Sequence, residues 1–265
     1  MRATILGALA LGVALAGCAG DTGGQTVRFP VAAAGPADAT PGGPLVFTSG
    51  DFTVTLTEAR LHVGAVYLNQ AAPASGAQAT DCYLPGTYVG QETAGLDVDL
   101  LDPAPQPFPQ PALGVTEPPA LAEQIWLTSG DINAADDPTP ILQVAGAAES
   151  PAGMFPFEGT VTIGANHLPA SGGAPGGGDS ICRQRIVSPI QQPVTLRQQG
   201  GLLLRIDPRL LFVDVDFSQL SPDPATGVYT FSDDPRAPDY APAAQNLYAN
   251  LRSVGPYQFL WEDDL

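Results

Sequence analysis

The strongest constraint on this chain is a period-two alternation that starts at Phe52 and returns until the last residues. In FTVTLTEA, Phe52, Val54 and Leu56 share one face while Thr53, Thr55 and Thr57 share the other. A strand sends successive side chains to opposite faces, so this spacing describes a half-buried strand and not a helix. Glycine and proline, 30 and 28 of the 265 residues, fall between the alternating runs and break them into short pieces. Many short strands with Gly/Pro turns predict an all-β protein, an antiparallel β-sandwich with long Pro/Gly-rich loops.

Further runs fit that frame. ARLHVGAVYLN (59–69) continues extended, with Leu61, Val63 and Tyr67 on one side and a bulge at Gly64. LDVDLLD alternates with Asp97 and Asp99 outward, IWLTSGDI and ILQVAGAAE are short strands, and FPFEGTVTI aligns Phe155, Phe157, Val161 and Ile163. Prolines make 102–120 an irregular crossing. PVTLRQQGGLLLRID reads as a hairpin turning at Gly200-Gly201. LLFVDVDFSQL reads as a strand with Leu211, Val213, Val215 and Phe217 on one face, and YQFLWE closes the fold. One helix is expected at about 240–252: Asp239 caps it, Pro242 suits its first turn, and Ala244, Leu247, Tyr248 and Leu251 share a face.

The front end has a different character. Arg2 precedes an apolar stretch from Ile5 to Ala16 that closes in small residues, the order of a secretory signal peptide. The stretch is shorter than the ~20 residues a bilayer-spanning helix needs. Leu15-Ala16-Gly17-Cys18 resembles the lipobox of bacterial lipoproteins. The resemblance implies cleavage before Cys18, lipid (palmitate among its acyl chains) on that cysteine, and outer-membrane delivery, because Ala19 replaces the Asp of the usual inner-membrane retention signal. The expected organisation is a signal peptide at 1–17, lipidated Cys18 with a flexible spacer to 43, and one sandwich domain over 44–265.

Net charge is −17 and all ten basic residues are arginine. Such a chain repels phosphate backbones, which excludes nucleic-acid binding as an expectation. With Cys18 assigned to lipid, Cys82 and Cys182 remain as an even pair in an oxidising envelope. They are expected to form a disulfide worth about 3–5 kcal/mol, closing a loop of roughly a hundred residues; a thiolate metal site has no neighbouring ligand to support it.

Longer segments carry a second resemblance. FTVTLTEARLHVGAVYLN, PGTYVGQE, GGLLLRIDPRLLFVDVDFSQL and NLRSVGPYQFLWE resemble uncharacterised secreted proteins and lipoproteins of high-GC bacteria. More distantly they are similar to the copper-binding-type β-sandwich proteins associated with methanobactin. Around Pro85-Gly86-Thr87-Tyr88 those relatives are His-rich, whereas Cys82, Leu84 and Thr87 stand here. The resemblance therefore implies fold and export, and no chemistry.

Candidate site residues are few. His62 and His167 are the only histidines, half of a copper or zinc site if folding joins them, and otherwise strand-rim residues. Asp131, Asn133, Asp136 and Asp137 have the oxygen-rich look of a calcium loop but lack the glycine and glutamate of an EF-hand; a solvated turn is the competing reading. Asp97/Asp99 and Asp214/Asp216 pair carboxylates on strand faces, as acid/base work on a glycan requires, and equally as solubility residues do. Trp126 and Trp261 suit a sugar-stacking role or the core. No GxSxG elbow is present, and GAPGGG at 173–178 lacks the helix and lysine of a phosphate loop. The expected function is an outer-membrane lipoprotein acting as a non-enzymatic binding or surface-structural module, with no cofactor and a protein or small-ligand partner. Calcium or copper binding is the alternative, and a carbohydrate-active enzyme the third reading.

Overall fold

The computed structural model describes residues 24–71, 87–127, 129, 139–162, 186–233 and 237–265. In chain order the strands are β1 (Thr26–Phe29), β2 (Val31–Ala34), β3 (Leu45–Ser49), β4 (Phe52–Val63), β5 (Ala65–Asn69), β6 (Tyr88–Glu92), β7 (Leu96–Asp99) and β8 (Gln106–Pro107). They continue as β9 (Ala112–Val115), β10 (Ala122–Trp126), β11 (Pro140–Ser150), β12 (Gly153–Thr162), β13 (Ile186–Ile190), β14 (Gly201–Ile206), β15 (Tyr229–Ser232) and, after helix α1 (Pro242–Leu251), β16 (Tyr257–Glu262). The first sheet has the order β1-β9-β6-β5-β10-β13, the second β15-β12-β11-β4-β3 with β7 also on β4, and the third β16-β14-β2-β8. The architecture is the expected all-β, sandwich-like one. Most pairs are antiparallel, but β12–β15 and β14–β2 run parallel.

Strand β4 shows how alternation becomes packing. Phe52, Val54 and Leu56 are buried, and so are Ala59, Leu61 and Val63. The two sets differ in parity because the register with β11 shifts between Ala145 and Gly146, opposite Glu58 and Leu56. That bulge re-aims the second half of a twelve-residue strand toward the same core. Gly64 then hands the chain from the second sheet to the first, its N–H donating to the Trp126 carbonyl at 2.8 Å. At the centre lies an aromatic cluster: Phe157 packs on Phe217 at 4.8 Å, on Phe212 at 5.8 Å and on Phe231 at 6.0 Å between ring centroids. Gly159 makes room for it, since a Cβ there would lie 2.4 Å from the Phe231 ring.

Several expectations are corrected. Residues 24–43 are no bare spacer: β1 and β2 sit in the first and third sheets, and Val27, Phe29, Val31, Ala32, Ala33 and Ala34 are buried. The domain therefore begins well before residue 44. The proline-rich stretch 102–120 is not wholly irregular, because β9 pairs with both β1 and β6 through residues 112–115. Gly200-Gly201 does not turn a hairpin: β14 pairs with β16 and β2, while Val194 meets Ala120 in an isolated bridge.

The run 208–219 is not a strand but two 3₁₀ turns, Pro208–Phe212 and Phe217–Gln219. Asp207 and Asp216 accept the backbone N–H groups of Arg209 and Ser218, which caps the two turns. A helix forms where expected, but it starts at Pro242 and not at about 240, Ala241 holds the cap position without a side-chain bond, and Asp239 does not cap it. Its Ala243, Ala244, Leu247 and Leu251 are buried. Trp261 packs against Phe29 at 5.3 Å, consistent with a core role, and Trp126 is only partly buried.

Candidate functional site

The first sheet has an outer face whose chemistry departs from the rest of the chain. The transfer at Gly64 reverses parity, so that Val66 and Leu68 of β5 point into the core while Ala65, Tyr67 and Asn69 point out. Register then aligns one outward row across five strands: Arg28 with Leu113, Leu113 with Gln91, Gln91 with Tyr67, and Tyr67 with Gln124. Flanking the row, Tyr67 meets Tyr88 at 5.2 Å and Trp126 at 5.8 Å in edge-to-face contacts. Arg28, Leu113, Gln91 and Tyr88 are exposed, and Tyr67 and Trp126 partly so.

Beneath the rings runs an amide network. Gln124 Nε2 donates to Asn69 Oδ1 at 2.9 Å and to Tyr88 Oη at 3.3 Å, and Trp126 Nε1 donates to Gln124 Oε1 at 3.4 Å. Both amides are buried, and Asn69 Nδ2 is left without an acceptor. Loss of solvent raises the Tyr67 phenol pKa, with the neighbouring Tyr88 adding to it. The face therefore offers neutral hydrogen-bonding groups and ring edges at ordinary pH. Local sequence gives no sign of Gln124 and Asn69, and uninterrupted alternation puts Tyr67 on the wrong side; the signal for its true side is Gly64, which follows β4.

The inner side of the same strands is where their two acids lie. Glu92 accepts the Ala94 N–H at 2.7 Å. Glu123 is fully buried, and its Oε2 accepts the Gln192 N–H at 3.0 Å while Oε1 has no partner. Burial pushes its carboxyl up to about 8, against a smaller opposing effect of that hydrogen bond. Gln192 in turn bonds both Tyr257 and Phe259 on β16.

Among the metal-site candidates, His62 is the one within the described residues. It projects from β4 opposite Asp97 of β7, with Nδ1 to Oδ1 at 2.6 Å. Asp97 is mostly exposed, so this is a surface pair that orients the ring and leaves Nε2 available. Cys18, Cys82, Asp131, Asn133, Asp136, Asp137, His167 and Cys182 lie outside the described residues. Among the described residues no three His, Cys, Asp or Glu side chains are grouped to hold a metal ion.

Asp214 and Asp216 line an open cleft of about 740 Å³ with Ser49, Asp51, Phe52 and Ser150. They do not share a strand face: Asp214 sits at φ +58° between the 3₁₀ turns, and Asp216 is committed to the second turn. Hydrogen bonds from Ser218 and Gln219 hold the Asp216 carboxyl below the usual range. Asp216 is thereby committed to capping the second turn.

No family model matches the chain, and no curated protein matches it. Among solved structures it is similar to MbnP from Methylosinus trichosporium, at 14% identity and a TM-score of 0.36, over 89% of this chain and 98% of that one.

Proposed function

We propose that the chain is a lipid-anchored, non-enzymatic binding module of the outer membrane, tethered through Cys18 and engaging its ligand on the outer face of the first sheet. One observation carries the binding role: the partly exposed Tyr67–Tyr88–Trp126 cluster lies over a buried amide pair with an unused donor. Aromatic rings with one apolar and one polar aspect are what contact surfaces favour. The anchor is supported by the LAGC sequence behind the apolar leader. Labelled palmitate should enter the wild-type protein and not Cys18→Ser, with the label in the outer-membrane fraction. Substitution of Gln91 should abolish ligand capture without unfolding the protein. Turnover of a substrate by the purified protein would overturn the non-enzymatic reading.

A metal-binding reading has one observation behind it, the carboxylate-oriented imidazole of His62. It supplies a single ligand. Metal analysis of the purified protein, with calcium and copper titrations followed by thermal unfolding, separates the two readings.

A further inference from the structure

We infer that the outer face of the first sheet takes an uncharged polysaccharide; this rests on the reading of that face as the binding surface and names its ligand class.

Three features of the face converge on that chemistry. The first is charge. The chain carries 27 acidic residues, yet on β1, β9, β6, β5 and β10 its two acids, Glu92 and Glu123, both point inward. Arg28 is the charged group at the described outward positions of these five strands. A net charge of −17 repels polyanions, and the described outward positions of these strands hold no carboxylate for a polycation to pair with. An uncharged chain suffers neither penalty.

The second feature is the pairing of functional groups. Exposed Gln91 presents a carbonyl acceptor and an NH₂ donor, which matches a hydroxyl, itself both donor and acceptor. Tyr67, Tyr88 and Trp126 supply ring faces and edges for the C–H surfaces of a sugar ring.

The third is length. The row from Arg28 to Gln124 crosses four strand spacings, about 19 Å at ~4.8 Å each. That span exceeds one sugar ring and suits several in line. A lipid surface would want a broad aliphatic patch, whereas Leu113 is the exposed aliphatic residue in this row.

The test uses the full-length lipidated protein in detergent, run through gels containing dextran, laminarin or the polyanion alginate. Retardation by dextran or laminarin and not by alginate is expected. Gln91→Ala, at an exposed position, should weaken the interaction at least tenfold, and Asp216→Asn on another surface should leave it unchanged. Binding to alginate alone overturns the assignment to uncharged glycans. If no polysaccharide binds but a photo-crosslinker at Gln91 captures a defined protein, the ligand class is wrong and the binding face stands. If neither occurs, both fall.

Discussion

Glu123 offers the sharpest check on the packing described above. Its carboxyl is fully buried, with one oxygen bonded to the Gln192 N–H and the other unpaired. Desolvation moves its pKa from an ordinary 4.5 to about 8. The folded protein thus holds a proton that the unfolded chain releases above pH ~4.5, so stability falls as pH rises between ~4.5 and ~8 and changes little from this group outside that window. At 1.36 kcal/mol per unit, the accumulated loss by pH 8 is of order 4 kcal/mol. Glu123→Gln keeps the shape and the acceptor for Gln192 while removing the titration.

Urea unfolding followed by tryptophan fluorescence, at pH 5 and pH 8, reads the effect. Wild type and variant should agree within about 1 kcal/mol at pH 5, and the variant should be more stable by several kcal/mol at pH 8. Comparing the two proteins at each pH cancels the titration of every other acid. Parallel stability profiles from pH 5 to pH 9 would mean that Glu123 is solvated or paired, and would refute the buried, half-satisfied carboxyl.

Other substitutions probe separate parts of the fold. Gly159→Ala forces a Cβ to within 2.4 Å of the Phe231 ring, and overpacking of that kind should cost about 1–3 kcal/mol in denaturant midpoint. Tyr257 Oη donates to the Leu251 carbonyl at 2.6 Å in the core, so Tyr257→Phe strands a helix-end acceptor and should cost about 1–3 kcal/mol by thermal unfolding. Peptide mapping without reductant should recover Cys82 linked to Cys182, and reduction should lower stability by about 3–5 kcal/mol; free thiols at both positions would remove the disulfide.

Strands whose two faces meet different surroundings are readable from sequence, and β12 and the first half of β4 carry their burial pattern in plain alternation. Strand β2 does not. Val31-Ala32-Ala33-Ala34 is buried on both faces by small residues, and that composition mimics a spacer. The run 208–219 fails for the opposite reason: apolar residues two apart also satisfy a pair of tight turns, and Asp207 and Asp216, bonding their own backbone, tip the balance away from a strand. The candidate face is invisible locally because it is a cross-strand row. No single strand holds more than two of its chemical groups, and its orientation depends on the parity change at Gly64.

The arrangement of the first sheet runs against what stability alone selects. Folding energetics favours carboxylates in water and aromatic rings inside. On β6 and β10 the reverse holds: Glu92 and Glu123 face the core, Tyr88 is 37% exposed, and Trp126 is partly exposed. Shifting either strand by one register position would exchange its two faces but would expose the buried Val89 or Ile125, so burial of these apolar residues holds the acids inside. Departures from local rules that the rest of a structure holds in place are expected where a surface has work other than folding. Here they fall together on the two strands that flank β5, with the uncharged amides and rings on the side away from the core.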